Sequence, residues 1–323
     1  MKITILGAGA YGLALATMVN ENNHKITIWT KLESELEELR KYHTNNRVLP
    51  DFVLPNNFKY TNNLKEAVSN CDLIIIAVPA GFVDSVSKEL NQYYVNQHIC
   101  IASKGIEQDT CLFVDDVVRK YINTDKIAVI TGPSFAIDII KKVPIGLSLA
   151  SKNEEAKKII INALQNNYLK LRATDDIIGI EVCGSVKNII AIASGIIDGM
   201  GLPESTQAMF ITEALHDMKE IIKALGGDKN TILSFAGFGD LLLTATSIKS
   251  RNFRFGKMIG EENPNEIIEQ YKNNTTIEGL YTLKSIYKLL DTKKVNIPII
   301  NLVYDIVFND KNPNEIKEFL IKK

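Results

Sequence analysis

The first thirty residues constrain this chain more than any other stretch. Met1–Leu6 is a short run rich in isoleucine and leucine, and the glycine segment Gly7–Gly12 and an alanine-rich stretch follow it directly. A buried strand, a glycine turn and a helix in this order form the context that a dinucleotide-binding fingerprint requires. Gly7 permits the tight turn, Gly9 lets the backbone approach a pyrophosphate, and Gly12 lets the helix pack closely on the strand. The helix N-terminus then offers N–H groups and partial positive charge to phosphate. The alternative, a turn without a ligand, is much weaker in this context.

Length and composition set the broad class of the protein. The chain has 323 residues, which is too long for one ordinary hydrophobic core and predicts two domains. Its 37 basic residues nearly balance its 38 acidic ones, so we expect no broad attraction to nucleic acid or to an anionic membrane. The four cysteines are scattered without a CxxC pair, and the four histidines share no ligand spacing. These features predict a reduced, metal-free, cytoplasmic protein.

Two further features argue against export and membrane insertion. The first predicted strand begins at residue 2, which leaves no room for a signal peptide. The most apolar long stretch, 177–200, carries Glu181, Lys187, Asp198 and several glycines, a pattern that is untypical of a membrane span. We therefore expect no integral membrane association.

The first half of the chain alternates strands and helices. Continuous apolar runs that end in turn-forming residues predict parallel strands buried on both faces. The later predicted strands are 25–30, 72–79, 98–103 and 126–130, and the helices are 33–42, 82–94 and 109–121, with a turn-rich surface loop at 45–51. Strands at 143–150 and 169–173, on either side of a helix at 154–165, are expected to extend the same sheet. This rhythm is typical of a Rossmann-type doubly wound α/β domain, which we place at residues 1–174.

The pattern changes near Thr174, where we place the domain boundary. Strand patterns are nearly absent beyond it, and helical patterns cover 176–197, 204–225, 240–247, 264–271, 282–290, 299–308 and 313–322. We predict an all-α domain over residues 175–323, which forms a cleft with the first domain where a ligand can bind.

The end of the second strand bears on the choice of cofactor. An acidic residue at this point usually holds the adenosine ribose of NAD. Here the strand ends in Trp29-Thr30-Lys31. Lys31 can meet the 2′-phosphate of NADP, or it can be a solvated lysine that opens a helix, and the sequence leaves both alternatives open.

Lys187 lies in a predicted helix that is otherwise almost without charge. Desolvation in such surroundings disfavours the charged form of a lysine, which suits a general acid or base that works near neutral pH. Gly184, Asn188 and Ala191 share its helical face, so small side chains leave room beside the amine. The alternative is a lysine whose side chain extends to solvent.

Three candidates follow the ends of successive strands, where a doubly wound sheet binds its ligands. Lys104 comes just after the strand at 98–103 and can hold a substrate oxygen or phosphate. Gly132 and Ser134 occupy the equivalent place after the next strand. For Lys104 the alternative is an exposed loop residue. For Gly132 and Ser134 it is a turn plus a helix N-cap, which is compatible with ligand binding.

Two segments of the second half carry further polar candidates. Asp240 precedes a predicted helix, so it is either an N-cap or a carboxylate that steadies the charge of Lys187. Ser250, Arg251 and Asn252 provide a hydroxyl, a guanidinium and an amide in what reads as a loop. Together they predict a phosphate clamp, with Arg251 making the forked contact.

Several motifs occur in an order that resembles one family. They are Gly7–Gly12, Asn46-Arg-Val-Leu-Pro50, Ser103-Lys-Gly105, Gly132-Pro-Ser-Phe-Ala136, Val186-Lys-Asn188, Gly239-Asp-Leu241, Ser250-Arg-Asn252 and Ile277-Glu-Gly279. Each motif alone is common, but eight in register are highly specific. The chain closely resembles bacterial NAD(P)-dependent sn-glycerol-3-phosphate dehydrogenases over nearly its whole length.

The resemblance implies roles for individual residues. Lys187 is similar to the proton acceptor of the family. The positions that match its glycerol 3-phosphate site are Lys104, Gly132, Ser134, Lys187, Asp240, Ser250, Arg251 and Asn252. Besides the fingerprint glycines Gly7, Gly9 and Gly12, the positions that match its dinucleotide contacts are Ala10, Tyr11, Lys31, Lys104, Ala136, Arg251 and Glu278.

The implied activity is reversible hydride transfer between NAD or NADP and a small phosphorylated substrate. Dihydroxyacetone phosphate and sn-glycerol 3-phosphate would interconvert, supplying phospholipid synthesis. The resemblance leaves open the preference for NADP or NAD, feedback regulation, the physiological direction and the oligomeric state. A homodimer is one possible oligomeric state. Two departures from the family pattern are Ala80-Gly81, where a serine usually follows Val-Pro, and Glu213, where an arginine is usual.

Two alternatives remain at this point. One is another NAD(P)H-dependent ketone reductase of the same two-domain plan, such as a 2-oxo acid reductase or a sugar nucleotide oxidase. The other is a non-catalytic sensor that binds the dinucleotide and a partner.

Overall fold

The computed structural model describes residues 1–321, which divide into two compact units. The first unit comprises Met1–Lys104 and Phe113–Ile177, and the second comprises Gly105–Leu112 and the chain from Ile178 onward. The first is built around a sheet, and the second, in the part described, is built from helices.

The first unit contains one eight-stranded sheet with the strand order β3-β2-β1-β4-β5-β6-β7-β8. Its strands are β1 (Lys2–Leu6), β2 (Lys25–Trp29), β3 (Lys59–Thr61), β4 (Leu73–Ile76), β5 (His98–Ile101), β6 (Ile127–Thr131), β7 (Ile145–Ala150) and β8 (Leu169–Thr174). The first six strands pair in parallel, β7 runs antiparallel to β6, and β8 is parallel to β7. The order reverses between β1 and β4, the switch point at which doubly wound sheets bind ligands. The predicted fold class is therefore confirmed.

Seven helices connect and cover these strands. They are α1 (Ala10–Asn20), α2 (Glu33–Tyr42), α3 (Leu64–Val68), α4 (Ala80–Leu90), α5 (Val114–Arg119), α6 (Ala136–Ile140) and α7 (Glu154–Leu164). Alternate residues of β1, Ile3 and Ile5, join Leu13 and Met18 of α1 in a fully buried core cluster. Burying such side chains contributes roughly 1.5–3 kcal/mol each, which holds α1 and the glycine segment before it against the sheet.

The second unit contains helices α8 (Ile177–Gly199), α9 (Glu204–Ala224), α10 (Asp240–Ala245), α11 (Arg251–Gly260), α12 (Asn265–Asn274), α13 (Glu278–Thr292), α14 (Pro298–Phe308) and α15 (Glu315–Ile321). A short 3₁₀ helix at Lys229–Leu233 and a π-helical turn at Phe235–Gly239 precede α10. By length and composition α8 could cross a membrane, but 94% of its most apolar window is buried inside the protein. That burial is typical of the central helix of a globular domain.

Several predicted boundaries were wrong. The helix predicted at 109–121 begins only at Val114 because residues 107–112 form a turn, in which the Glu107 carboxylate accepts from the N–H groups of Asp109 and Thr110. The segment at 250–254, interpreted as a loop, opens helix α11 instead. The short elements β3, α3 and α6 were not predicted.

The stretch 45–51 is not purely a surface loop. Asn45 and Leu49 are buried, with exposed fractions of 1% and 6%. The Asn45 Nδ2 donates to the carbonyl oxygen of Ala8 at 3.0 Å, within the glycine segment. This stretch therefore supports the predicted fingerprint.

Candidate active site

The glycine segment after β1 has two glycines that the protein itself requires. Gly7 has a φ of +120°, and a Cβ there would lie 2.8 Å from the carbonyl oxygen of Ala77. A Cβ on Gly12 would lie 2.4 Å from the carbonyl oxygen of Gly7. At Gly9, by contrast, a Cβ would meet no protein atom within 4 Å. The protein's own packing explains Gly7 and Gly12 but not Gly9, and the open space beside Gly9 fits a bound pyrophosphate.

The N-terminus of α1 agrees with this fit. Gly9 occupies the N-cap position with no side-chain hydrogen bond, and the first turn contains no acidic residue. Its N–H groups and partial positive charge are thus not taken up by an anionic side chain of that turn. Ala10 and Tyr11 belong to this turn, next to where a dinucleotide phosphate would bind.

Tyr11 links the glycine segment to the ends of two neighbouring strands. Its hydroxyl lies 3.1 Å from Ser134 Oγ, beyond β6, and its ring centroid lies 5.6 Å from Lys104 Nζ, beyond β5. Ser134 is buried and does not cap α6, because Phe135 holds the N-cap position, so that alternative was wrong. Sequence reasoning placed Lys104 and Ser134 near each other through their strand ends, and Tyr11 is the contact that joins them.

Two other predicted residues on this edge have a structural reason of their own. A Cβ on Gly132 would lie 2.6 Å from the carbonyl oxygen of Gly146, so the close approach of the chain after β6 to the neighbouring strand β7 requires glycine there. Ala136 is the first residue of α6. Neither observation assigns a ligand, and their binding roles stay predictions.

The end of β2 presents a charged cluster. Lys31 is exposed. Thr30 Oγ1 donates to Glu35 Oε2 at 2.6 Å, and Arg47 Nη2 is paired with Glu35 Oε1. Glu35 is buried, although it belongs to the charged helix α2.

In the second unit, Lys187 forms a buried ion pair. Its side chain is 9% exposed, and Nζ lies 2.6 Å from Asp240 Oδ1, whose side chain is 2% exposed. The same Nζ lies 3.0 Å from Thr244 Oγ1. Thr244 in turn donates its hydroxyl to the backbone carbonyl of Asp240 at 2.6 Å. The amine of Lys187 is therefore held by a carboxylate and a hydroxyl inside an apolar region, and it does not extend to solvent.

The backbone before α10 positions Asp240 next to Lys187. The π-helical turn continues directly into α10, and Gly239 has helical dihedral angles at the N-cap position. Asp240 is thus inside the helix and is not its cap, so the N-cap alternative was wrong. Ser234 caps the π-helical turn, accepting from the N–H of Gly237 at 3.1 Å. Such π-helical turns are frequent at functional sites. Thr244 was missed, although its position four residues after Asp240 places it on the same helical face.

The predicted phosphate clamp is the N-terminus of α11. Ser250 caps this helix by accepting from the N–H of Phe253 at 3.2 Å. Arg251 is the first helical residue, with its side chain 48% exposed, and its Nη2 lies 3.8 Å from Glu278 Oε1. Asn252 is buried, and its Oδ1 accepts from the N–H of Gly279 at 2.9 Å.

Glu278 connects this clamp to the helix of Lys187. Its Oε2 accepts from Asn188 Nδ2 at 3.3 Å, while its Oε1 faces Arg251. Asn188 is 3% exposed, and although sequence reasoning placed it beside Lys187, it assigned Asn188 no site role. The residues from 187 to 278 that were singled out separately thus form one connected set.

A close helix crossing fixes this set. Gly195 and Gly199 of α8 face Gly256 and Gly260 of α11, and a Cβ on any of the four would lie between 1.9 and 2.2 Å from backbone carbonyl oxygens of the opposite helix. Lys257 Nζ reaches Asp198 Oδ2 across the crossing at 2.8 Å. The hydrogen bond to the Asp198 carboxylate raises the pKa of Lys257. Helix backbones in direct contact leave little freedom for the end of α11 to shift relative to Lys187.

Of the two departures from the family pattern, Ala80 is half-buried, whereas Gly81 and Glu213 are exposed. A Cβ on Gly81 would meet no atom within 4 Å, and Ala80 is the first residue of α4. Glu213 is exposed on α9. Within residues 1–321, no group of three or more His, Cys, Asp or Glu side chains is arranged to hold a metal ion.

Comparison with known proteins gives a consistent result. Residues 2–157 match the family described as "NAD-dependent glycerol-3-phosphate dehydrogenase N-terminus", and residues 176–318 match its C-terminus counterpart. The chain is 36% identical to glycerol-3-phosphate dehydrogenase [NAD(P)+] of Staphylococcus haemolyticus over 317 residues, covering 97% of this chain and 95% of that protein. The enzyme of the same name from a Thermoanaerobacter species is also 36% identical, covering 98% of this chain and 95% of that protein.

A solved structure agrees with the sequence matches. The crystal structure of glycerol-3-phosphate dehydrogenase from Coxiella burnetii has a TM-score of 0.93 and 32% identity, covering 100% of this chain and 99% of that one. The similarity extends over both units, so neither half of the chain is an unrelated addition.

Proposed function

Because the chain belongs to the NAD-dependent glycerol-3-phosphate dehydrogenase family, we propose that it interconverts dihydroxyacetone phosphate and sn-glycerol 3-phosphate with NADP or NAD. It is an oxidoreductase that acts on a CH–OH group. We further propose that residues 1–174 bind the dinucleotide, that 175–323 provide most substrate contacts, and that the product serves phospholipid synthesis in the cytoplasm.

The reduction of a ketone needs a hydride on carbon and a proton on oxygen. When bound, the nicotinamide ring supplies or receives the hydride. In our proposal the Lys187 ammonium gives the proton to the substrate oxygen, and the neutral amine takes it back in the reverse direction. Asp240 and Thr244 orient the amine, and the Asp240 carboxylate stabilises its charged form.

The proposed substrate contacts use groups that match a phosphate. Arg251 provides a forked guanidinium at the N-terminus of α11, and Asn252 and Ser250 stand beside it. Lys104, Gly132 and Ser134 are the proposed contacts contributed by the first unit. These residues act by positioning, which lowers the barrier by removing the entropy of encounter.

The proposed dinucleotide contacts start at the fingerprint. Gly7, Gly9 and Gly12 form the turn, and the N–H groups of Ala10 and Tyr11 would hold the pyrophosphate of a bound dinucleotide. The further contacts that we propose are Lys31, Lys104, Ala136, Arg251 and Glu278. Ala80, Gly81 and Glu213 are not among these proposed contacts.

The observation that carries the proposal is the buried ion pair of Lys187 with Asp240. The test is the initial rate of NADPH and NADH oxidation with dihydroxyacetone phosphate, run side by side with a panel of 2-oxo acids. We expect turnover with dihydroxyacetone phosphate far above that with the other ketones.

A variant pair assigns the proton to a residue. Lys187→Met is expected to lose roughly 10²- to 10⁴-fold in turnover, the usual contribution of a general acid. The matched control is Lys223→Met, because Lys223 is an exposed lysine of α9. Near-normal turnover of Lys187→Met would remove Lys187 from the mechanism. A folded wild-type protein that binds NADPH but reduces no ketone would favour the sensor alternative.

A further inference from the structure

The end of β2 has an acidic side chain after all, but it comes from the next helix. In a dehydrogenase specific for NAD, a carboxylate at this point accepts from the ribose 2′-hydroxyl. Here Glu35 of α2 reaches back to the strand end, where its Oε2 accepts from Thr30 Oγ1 at 2.6 Å. Glu35 is only 8% exposed, so this carboxylate is part of the folded strand end.

Arg47 neutralises that carboxylate. Its Nη2 is paired with Glu35 Oε1, so Thr30 and Arg47 hold one oxygen each. The Arg47 side chain is nevertheless 67% exposed. A guanidinium has five N–H donors in a rigid fork, and the pair with Glu35 leaves donors facing outward. The exposed part of this ion pair is therefore the guanidinium and not the carboxylate.

The loop that carries Arg47 is fixed at two points. Asn45 Nδ2 donates to the carbonyl oxygen of Ala8 in the glycine segment, at 3.0 Å. The N–H of Asn46 and the hydroxyl of Thr44 both donate to Glu38 Oε1, at 2.8 Å each. These contacts, with that of Asn46 first, lower the pKa of the Glu38 carboxyl and so favour its anionic form.

The anchoring places Arg47 beside the ribose end of the fingerprint. The N–H of Gly7 donates to the carbonyl oxygen of Trp29 at 2.9 Å, so the glycine segment and the end of β2 are adjacent. Arg47 is tied to the first through Asn45 and to the second through Glu35. Exposed Lys31 follows Thr30 directly, which adds a second cation at this edge.

We infer that Arg47, braced by Glu35, is the residue that makes this chain select a 2′-phosphorylated dinucleotide over an unphosphorylated one, with Lys31 in support. The inference rests on the proposed function in that it concerns the same dinucleotide site. A phosphate is recognised by a guanidinium fork through charge-assisted hydrogen bonds. The Glu35 carboxylate is buried and already holds Thr30 and Arg47, one on each oxygen, so it is poorly available to accept from a ribose 2′-hydroxyl.

The test measures dinucleotide binding without any ketone. Dissociation constants for NADPH and NADH are determined by nucleotide fluorescence for the wild type, Arg47→Ala and Lys31→Ala. The matched control is Lys25→Ala, because Lys25 is an exposed lysine at the opposite end of the same strand. We expect Arg47→Ala to weaken NADPH binding by roughly 10- to 100-fold, the contribution of one charge-assisted contact, and Lys25→Ala to change neither constant.

The response of NADH is the sharper readout. Removing Arg47 frees one Glu35 oxygen to accept from a ribose hydroxyl, so NADH binding should be unchanged or tighter. Glu35→Gln should retain NADPH binding without gaining NADH, because it removes the carboxylate and keeps the guanidinium. Equal loss for both dinucleotides in a folded Arg47→Ala, or no loss for either, would overturn the inference.

A second variant and a second ligand separate the possible failures. Arg47→Lys keeps the charge but loses the fork, so it should fall between wild type and Arg47→Ala for NADPH. Adenosine 2′-monophosphate should displace NADPH better than adenosine 5′-monophosphate in the wild type and in Lys25→Ala, but not in Arg47→Ala. A chain with this binding pattern but no turnover of dihydroxyacetone phosphate would refute the proposed function alone. Turnover of dihydroxyacetone phosphate, combined with dinucleotide binding that does not change in Arg47→Ala, would refute only the selection by Arg47.

Discussion

The ion pair of Lys187 and Asp240 can be dissected into a structural and a chemical contribution. Three variants are compared, Lys187→Met, Asp240→Leu and the double variant. Each single substitution leaves one charged group buried without its partner. The double substitution replaces the pair by apolar side chains of similar size, while Thr244 keeps its hydrogen bond to the backbone carbonyl of Asp240.

The magnitudes follow from burial. The two side chains are 9% and 2% exposed, so a partner removed from this pair is not replaced by bulk water. Breaking such a pair costs about 3–5 kcal/mol, whereas replacing both members by apolar residues is often neutral or stabilising by roughly 1–4 kcal/mol. For a domain of this size 1 kcal/mol moves the melting temperature by roughly 2–4 °C, so we expect each single variant to melt roughly 6–20 °C lower. The double variant should melt close to the wild type.

Two assays read the outcome, thermal melting and initial rate with dihydroxyacetone phosphate. The double variant should regain stability but remain at least about 10²-fold slower than the wild type, because the proton donor is gone.

Two results would refute this reasoning. If the losses of the single variants add in the double variant, Lys187 and Asp240 are not energetically coupled. If the double variant turns over at a near-normal rate, the proton comes from another group.

Three further predictions concern positions elsewhere in the molecule. Gly9→Ala should melt like the wild type but bind NADPH at least about tenfold more weakly, because its Cβ enters the open space and not the protein. Gly12→Ala should lose about 1–3 kcal/mol of stability. Equal effects of the two substitutions on the melting temperature would contradict this prediction. Gly256→Ala should lose at least as much stability as Gly12→Ala, because its Cβ would lie 1.9 Å from the carbonyl oxygen of Ile192. The measurement is denaturant unfolding, and an unchanged unfolding midpoint would contradict this prediction. Burial raises the pKa of Cys71 to about 11. Its alkylation by iodoacetamide at about pH 8, followed by mass spectrometry, should therefore be roughly 100-fold slower than that of an ordinary thiol. Modification of Cys71 at the rate of glutathione would argue against this prediction.

The sheet was predictable because its signals are local. The apolar run that contains β4 ends at a proline and stands between turn-forming residues, and α2 was predicted with the bounds it has in the structure. The three-residue edge strand β3 has no such run, so its pairing with β2 becomes visible only when β2 is in place. The antiparallel direction of β7 likewise depends on the short connection from β6 through α6, which single-residue preferences do not encode.

Helix α11 was missed for a tertiary reason. Gly256 and Gly260 are poor helix formers, and in isolation they favour a loop. In the folded chain they are the positions at which α8 approaches, and any side chain there would collide with its backbone. The cost of glycine within the helix is offset by the contact that it permits, and no window of local sequence contains both halves of that contact.

The polar residues of the candidate site were predicted unevenly. Lys187 stood out because a lysine is conspicuous in an apolar helix, and its contact with Asp240 was one of two alternatives weighed. Asn45 and Thr244 gave no such signal, because a buried asparagine or threonine looks like any loop or helix residue until its partner is known. Binding roles for the predicted set stay predictions until ligands are measured.

The hydrogen bond between Asn252 and Gly279 determines what the Asn252 amide can offer to a ligand. A primary amide carries one acceptor oxygen and two N–H donors. The oxygen is engaged by the first turn of α13, so the NH₂ group is the part of the amide that would be offered to a ligand. Phosphate oxygens, which only accept, are complementary to that group, whereas an ammonium or another donor-only group is not. In our proposal, Asn252 therefore favours ligand groups that accept hydrogen bonds. Asn252→Asp would remove both donors and add a negative charge while preserving the contact to α13.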